Sequence, residues 1–203
     1  MSDWTSIHGE TPIDPSGLRP AIRRKVGNRA ELNPLEAENI RLATVKYLAT
    51  RPSDGLADFT VEWVLKLHKE MLGNVWLWAG QIRSVELNMG SRIWQIKTDL
   101  HNLLQDLRCW EDSDMPLTEQ AARLHHRAVH IHPFENGNGR WARLLANIWL
   151  RLHGESVTIW PEQGVSDGVS RIRGEYINAL RAADECDMSL LIELHNVYAA
   201  RQD

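Results

Sequence analysis

Apolar positions recur at helical spacing along most of this chain after its first thirty residues. In FTVEWVLKLHKEML, residues 59–72, the apolar side chains lie three and four positions apart, as on one face of a helix. The same spacing predicts helices over 99–110, 117–131, 139–153, 166–183 and 188–202. Gly154 is the expected end of the helix over 139–153. Strand signals are few, so the predicted fold class is mainly α, a helical bundle with one short β-hairpin.

The first long helix is predicted to begin at Asn33. Asn33 can cap it, Pro34 fits the first helical position, and Glu36 stands where a capping-box acid stands. Residues 1–32 show no sustained period, so they are interpreted as a lead-in arm. The remaining residues, 33–203, form a single predicted helical domain.

The strongest strand signal lies in GNVWLWAGQIRSVELNMGSRIWQI, residues 73–96. Its apolar residues are mostly β-branched or aromatic, and NMGS is a turn signal. We predict a hairpin flap over 84–96, with its turn between Asn88 and Ser91. Thr98 is the predicted cap of the helix that follows.

Composition narrows the classes of function. The chain has 203 residues and a net charge of −4, which argues against non-specific binding of nucleic acid. Its sequence has no apolar run long enough to span a bilayer, and its first ten residues do not have the pattern of a signal peptide. Cys109 and Cys186 form no CxxC pair, which favours a reducing cytoplasm. Most of the nine tryptophans are expected in the core.

The densest chemistry lies in HIHPFENGNGRWARLL, residues 130–145. Pro133 disfavours helix at the preceding residue, so His132 should stand at a helix C-terminus. The helix dipole there favours imidazolium, and a histidine so placed can take up a proton as a general base must.

The next helix begins after GNG and carries two arginines on its first turns. Gly137 and Gly139 let backbone N–H groups turn toward a phosphate, and free amides at a helix N-terminus add to the attraction. Arg140 and Arg143 oppose the helix dipole unless an anion binds there. Phe134 is the expected anchor of the loop to the core. The alternative for these residues is an ordinary helix–loop–helix joint with a glycine turn.

Zinc chemistry is a second alternative. His126 and His130 are four apart on a predicted helix and His132 follows closely, so the three could bind zinc. No HExxH motif accompanies them, which favours histidines at the surface or at the edge of the core.

The motif HPFENGNGRWAR resembles the signature of Fic-domain proteins, HPFx(D/E)GNGRxxR. The segment VWLWAGQIR, residues 75–83, is similar to the WAG-containing segment before the flap of that family, and the resemblance covers about residues 35–200. The size and the lead-in arm look most like the branch called mobile mystery protein B. That resemblance implies a helix-turn-helix regulator encoded nearby, and leaves a toxin role and a regulatory role both open.

The resemblance implies transfer of AMP from Mg-ATP to a Ser, Thr or Tyr hydroxyl of a target protein docked at the flap. His132 would deprotonate that hydroxyl. Arg140 and Arg143 would hold the phosphates and stabilise the leaving pyrophosphate. The remaining phosphate cradle would be Gly137, Asn138 and Gly139.

Two features qualify this expectation. The acidic residue of the signature, which holds Mg²⁺ in the family, is Asn136 here, and an amide is a weaker ligand for a hard cation.

PLEAEN, within a possible inhibitory helix over 33–50, is similar to the ending of the family's inhibitory motif (S/T)xxxE(G/N). Glu38 is therefore predicted to pair with Arg143 and restrain the enzyme. A non-catalytic Fic fold that binds nucleotide or a partner, and transfer of a different phosphate-containing group, remain as alternatives.

Overall fold

Helices supply nearly all regular structure in this computed structural model, which describes residues 4, 14–52, 55–161, 165 and 170–200. Within those ranges eight α-helices have defined bounds: α1 (Pro20–Arg23), α2 (Arg29–Leu48), α3 (Val61–Leu72), α4 (Ile96–Glu111), α5 (Leu117–Ile131), α6 (Asn138–Leu152), α7 (Arg171–Asp184) and α8 (Ser189–Val197). The β pairing among these residues is limited to two isolated bridges, Leu18 with Trp76 and Thr158 with Ala199. The prediction of a mainly α fold is confirmed.

Helix α2 begins before the predicted Asn33. Its first residue is Arg29, and the Asn28 side chain caps it by accepting a hydrogen bond from the Glu31 amide at 3.0 Å. The pattern Asn-x-x-Glu occurs twice in this stretch, at 28–31 and 33–36, and the chain uses the first copy. Pro34 consequently lies inside the helix rather than at its first position.

The arm before α2 is part of the packed structure. Leu18 is 1% exposed and Val26 is also buried. The Arg19 amide donates to the Val75 carbonyl at 2.9 Å, next to the bridge between Leu18 and Trp76. The predicted lead-in of residues 1–32 therefore overlaps the start of α2, and residues 17–19 pack on the segment that follows α3.

The predicted hairpin flap does not form. Residues 84–95, here called the flap loop, contain turns and bends but no strand. The buried Arg83 guanidinium donates to the Ser91 carbonyl, a group that in a hairpin would pair with the facing strand. Helix α4 begins directly afterwards at Ile96, so Thr98 lies within it and does not cap it.

Helices α5 and α6 form the centre of the bundle. Helix α5 packs against α4, α6 and α8, and its bounds coincide with the predicted 117–131. Helix α6 buries the apolar face that its sequence predicts, and Gly154 follows it with a φ of 80°. Five tryptophans are buried, namely Trp63, Trp76, Trp141, Trp149 and Trp160. In the part of the chain that the structure describes, no helix has the length and apolar character needed to cross a membrane.

A chain of buried polar side chains lies between α5, α7 and α8. His125 Nδ1 is 3.2 Å from His195 Nε2, and His125 Nε2 is 3.0 Å from the Tyr176 hydroxyl. His195 Nδ1 lies 2.8 Å from the Thr158 hydroxyl. Burial lowers the pKa of His125 well below its ordinary value and that of His195 to about 3. Both imidazoles are therefore neutral at neutral pH.

We expect the free energy of unfolding to fall as the pH drops below about 6.5. His195 and His68 each have a pKa of about 3 in the folded protein and 6.5 as the ordinary value. The unfolded chain therefore binds more protons between these values, and the two residues together cost about 3 kcal/mol of stability between pH 7.5 and 5.5. Urea unfolding followed by tryptophan fluorescence at both pH values measures this loss.

Two variants test the assignment of that loss. His195→Asn removes one buried imidazole and should reduce the difference between the two pH values by about 1.4 kcal/mol. His68→Asn removes the other buried imidazole and should reduce the difference by about the same amount. Equal stability of the wild-type protein at pH 7.5 and 5.5 would contradict the prediction.

Candidate active site between α5 and α6

His132 ends α5 in a left-handed backbone conformation. Its φ is 51° and its ψ is 58°, and its amide still donates to the Ala128 carbonyl at 3.3 Å. Pro133 prevents the helix from continuing in its normal geometry. A non-glycine residue in this region costs about 1–2 kcal/mol and is typical of functional sites.

The His132 imidazole is held in its neutral form. Burial lowers its pKa, a hydrogen bond to the Val129 carbonyl opposes the shift, and the Arg83 charge adds to it. The expected preference for imidazolium at the helix end is therefore wrong, because burial lowers the pKa of His132. When one ring nitrogen donates to Val129, the other carries a lone pair and can accept a proton.

The Arg83 side chain connects the end of α5 at His132 to the flap loop. Its side chain is 1% exposed, and its Nε donates to the His132 carbonyl at 2.9 Å. Its Nη1 donates to the Val85 carbonyl at 2.9 Å and its Nη2 to Ser91. Its own amide donates to the Pro133 carbonyl at 2.9 Å. Sequence reasoning missed this role, and the only available signal was the position of Arg83 at the end of VWLWAGQIR.

The flap loop passes directly over His132. Gly90 has a φ of 86°, and a Cβ built on it would lie 2.6 Å from the His132 Cβ and 3.0 Å from the Ile131 carbonyl. Both the backbone angle and the close approach require glycine at this position.

His68 of α3 packs against the loop between α5 and α6. Phe134 is fully buried and stacks on the His68 ring, with the ring centroids 3.6 Å apart. The Gly80 amide donates to His68 Nδ1 at 2.9 Å, so Nε2 carries the proton and donates to the Asn136 carbonyl at 3.0 Å. Burial lowers the pKa of His68 to about 3, so this arrangement persists at neutral pH. In the sequence, His68 was only one of several residues on the inner face of its helix.

The turn into α6 is fixed by Asn138 and Gly137. The Asn138 side chain accepts from the Phe134 amide at 3.0 Å and donates to the Phe134 carbonyl at 2.9 Å. Gly137 has a φ of 79°, and a Cβ there would lie 2.7 Å from Leu72 Cδ1. This geometry leaves the first-turn amides of α6, which have no intrahelical acceptor, at the end of the loop.

Asn136 offers one neutral oxygen to a cation. Its Oδ1 accepts from the Gly137 amide at 2.7 Å, while the neighbouring Glu135 is exposed. An amide oxygen is an acceptable ligand for Mg²⁺ but a weaker one than a carboxylate. These residues therefore fit a metal held chiefly by the phosphates of a ligand.

Arg140 already has an anion beside it. Its Nη1 lies 3.0 Å from Glu36 Oε2, and Glu36 Oε1 accepts from Trp76 Nε1 at 2.5 Å. Glu36 is only 8% exposed. The Glu36 carboxylate thus balances the positive charge of Arg140, which the sequence pattern alone did not explain.

Arg143 lies deeper, beside Tyr176 of α7. It is 4% exposed, and its guanidinium carbon is 5.6 Å from the Tyr176 ring centroid. A Cβ on Gly139 would lie 3.4 Å from Arg143 Nη1 and 3.7 Å from the Tyr176 hydroxyl. The Tyr176 hydroxyl in turn lies 3.0 Å from His125 Nε2, a contact that no local sequence pattern reveals.

The predicted pair between Glu38 and Arg143 does not form. Glu38 pairs with Arg41 at 2.7 Å, and both side chains are more than half exposed. Glu36 and Glu38 are two positions apart, about 200° around a helix, so they face opposite ways. Glu36 belongs to the buried stripe of α2, which also contains Asn39. The residue placed to contact the motif is therefore Glu36.

Known proteins that are similar to this chain share the region that contains the site. The sequence profile of the Fic/DOC family matches residues 58–150. The proteins named protein adenylyltransferase Fic of Drosophila melanogaster and Drosophila sechellia are each 35% identical over 136 residues, which cover 64% of this chain and 26% of the relative. The chain thus spans about a quarter of the length of those relatives.

Solved structures agree on the fold. Fic-1 (aa134–508) from C. elegans has a TM-score of 0.62 and 25% identity, covering 81% of this chain and 49% of that one. BepC from Bartonella tribocorum, solved with bound AMPPNP, has a TM-score of 0.69 and 16% identity, covering 94% of this chain and 99% of that one. Family profile, relatives and fold agree on a region of the Fic/DOC family at residues 58–150 of this chain.

Proposed function

We propose that the protein is an adenylyltransferase that moves AMP from ATP to a Ser, Thr or Tyr hydroxyl of a target protein. The observation that carries the proposal is the position of His132 at the end of α5, one short loop before the helix N-terminus that bears Arg140 and Arg143. The relatives named protein adenylyltransferase support the reaction, and the AMPPNP bound to BepC supports ATP as co-substrate.

The residues divide the reaction between them. His132 accepts the proton of the target hydroxyl while its oxygen attacks the α-phosphorus of ATP. The bond from that phosphorus to the oxygen bridging to the β-phosphate breaks, and pyrophosphate leaves with the electron pair. Arg140, Arg143 and the first amides of α6 hold the phosphates and stabilise the leaving charge. The backbone at Gly137, Asn138 and Gly139 contributes the cradle.

Magnesium would bind through the phosphates and the Asn136 side-chain oxygen. It supplies neutralisation of phosphate charge when bound. The carboxylate usual at this position is absent, so we propose that this chain binds the metal weakly unless nucleotide is present.

The target is proposed to dock at the flap loop. Val85, Met89 and Trp94 are 63%, 58% and 76% exposed, and the loop touches His132 through Gly90. An apolar partner segment covering these side chains would bring its hydroxyl to the base. A helix-turn-helix protein encoded nearby is a second proposed partner, as a regulator.

The transfer is proposed to be restrained by Glu36. Its carboxylate pairs with the Arg140 guanidinium, the group that is proposed to bind the phosphates of ATP. Nucleotide binding therefore has to displace or outcompete a partly buried ion pair.

Replacing the base should abolish transfer. His132→Ala is expected to lower the rate by about 10²–10⁴-fold, the usual contribution of a general base. The measurement is protein labelling by ATP radiolabelled at the α-phosphate, with the chain alone and with a cell lysate as source of targets. His153→Ala is the matched control, since His153 lies at the far end of α6 and pairs with Glu111.

Labelling from the γ-phosphate instead would show phosphate transfer and contradict the adenylyl assignment. Nucleotide binding by calorimetry, with no labelling of any protein in any variant, would favour the non-catalytic alternative. An undiminished rate in His132→Ala would remove His132 from the mechanism.

Releasing Arg140 should strengthen nucleotide binding. Glu36→Gln keeps the size of the side chain and an acceptor for Trp76, but removes the charge that pairs with Arg140. We expect ATP to bind about 5–30-fold more tightly, corresponding to about 1–2 kcal/mol. Calorimetric titration with ATP measures the change, and Glu38→Gln is the control two positions along the same helix. An effect of Glu38→Gln equal to that of Glu36→Gln would overturn the assignment to Glu36.

Restoring a carboxylate at the metal position should raise metal affinity and rate. Asn136→Asp is expected to lower the Mg²⁺ concentration for half-maximal labelling at least about tenfold, since about 1.4 kcal/mol of added attraction suffices. Mg²⁺ titration of nucleotide affinity gives the same quantity without turnover. Glu135→Gln should have no effect, and a loss of Mg²⁺ dependence in that variant would place the ligand at Glu135 instead.

A further inference from the structure

A cluster of two imidazoles and one carboxylate lies on the outer side of α5, apart from the motif loop. It consists of His126, His130 and Asp184, here called the HHD cluster. His126 Nε2 lies 2.8 Å from Asp184 Oδ1, and His130 Nδ1 lies 3.1 Å from the same oxygen. The three potential ligand atoms all lie within 4.8 Å of one another. His132, the third histidine of the predicted zinc group, is not a member.

Local structure explains why these three side chains converge. His126 and His130 are four residues apart on α5, so their rings extend from the same face. Asp184 is the last residue of α7 and reaches that face from a different element. The cluster therefore links two helices that are distant in sequence.

The contacts differ from those of an ordinary histidine–carboxylate pair. Two rings converge on one oxygen atom, whereas the pair between His153 and Glu111 joins one ring to one carboxylate at 3.0 Å.

The ligand types select the class of cation. Imidazole nitrogen favours Zn²⁺, Cu²⁺ or Ni²⁺ over Mg²⁺ or Ca²⁺, which prefer oxygen. Tetrahedral ligands about 2.0–2.1 Å from zinc lie roughly 3.3–3.4 Å apart. The two ring nitrogens lie 2.8 and 3.1 Å from Asp184 Oδ1, so small movements would give that spacing. His130 is 64% exposed in its side chain, so water can reach the cation and complete the coordination.

We propose that the HHD cluster binds one divalent transition-metal ion of the zinc class, which ties the end of α7 to α5. The ion would take the two ring nitrogens that now face Asp184, and each neutral imidazole would carry its proton on its other nitrogen. Since α5 ends at Ile131, directly before His132, the ion would also stiffen the helix that carries the proposed base. The site needs no nucleotide and does not depend on the transferase proposal.

The test is zinc binding by the full chain with tags removed. Cys109 and Cys186 are exposed free thiols that also bind zinc, so both are first replaced by serine in every protein used. Zn²⁺ is titrated in competition with a chromophoric chelator, and Co²⁺ absorption reports the coordination. One equivalent is expected, together with a rise in the thermal midpoint as zinc is added.

Two variants remove ligands and one serves as control. His130→Ala and Asp184→Asn should each weaken zinc binding at least about tenfold and remove the thermal shift. Both positions are substantially exposed, so the variants should fold, and circular dichroism checks this. His153→Ala removes a histidine that also pairs with an acid, and should leave the affinity unchanged. Absence of stoichiometric zinc, or equal affinity in His130→Ala and the parent, would overturn the proposal.

Discussion

The buried guanidinium of Arg83 is the constraint on which the candidate site depends. A guanidinium keeps its charge in proteins, so burying it requires acceptors at fixed positions around it. Those acceptors are backbone carbonyls of His132 and of the flap loop, together with the Glu86 carboxylate 3.5 Å from Nη1. The segment proposed to receive the target and the residue proposed to accept its proton are thus held by one side chain. Burial is the main cause that lowers the pKa of His132, and the Arg83 charge adds to it.

The loop between α5 and α6 has no regular structure, and its shape comes from directed hydrogen bonds instead. Asn138 closes the loop on Phe134, and His68 fixes the Asn136 carbonyl from below. A charged His68 would lose its acceptor for the Gly80 amide, so the burial that keeps it neutral also keeps the loop in place. Reactions at phosphate depend chiefly on positioning and electrostatics, and a loop restrained at several points suits both.

Local patterns in the sequence were sufficient to predict the helices at the centre of the bundle, α5 and α6, and the loop between them. Apolar spacing gave α5 its bounds, and Gly154 marked the end of α6, because these signals depend on neighbouring residues alone. The predicted start of α2 was wrong because the same capping pattern occurs twice there, and the helix uses the earlier copy at Asn28. The flap hairpin failed for a similar reason, since Arg83 takes backbone acceptors that a ladder would need. The contacts of His68 with the loop and of Tyr176 with Arg143 join distant segments, so spacing alone could not reveal them.

The ion pair between Glu36 and Arg140 makes ligand binding a property of α2 as well as of the motif. Two arginines and the free amides of α6 favour an anion, and Glu36 supplies one from 104 positions away in sequence. A phosphate that takes Arg140 leaves a buried carboxylate with Trp76 as its remaining partner here, which is unfavourable unless Glu36 moves toward water. The free energy gained on nucleotide binding is therefore the gain expected for an Arg140 without its ion pair, reduced by the free energy needed to rearrange Glu36. A sequence with the same loop but a neutral residue at position 36 would bind the same ligand more tightly, so the motif alone does not determine the strength of the site.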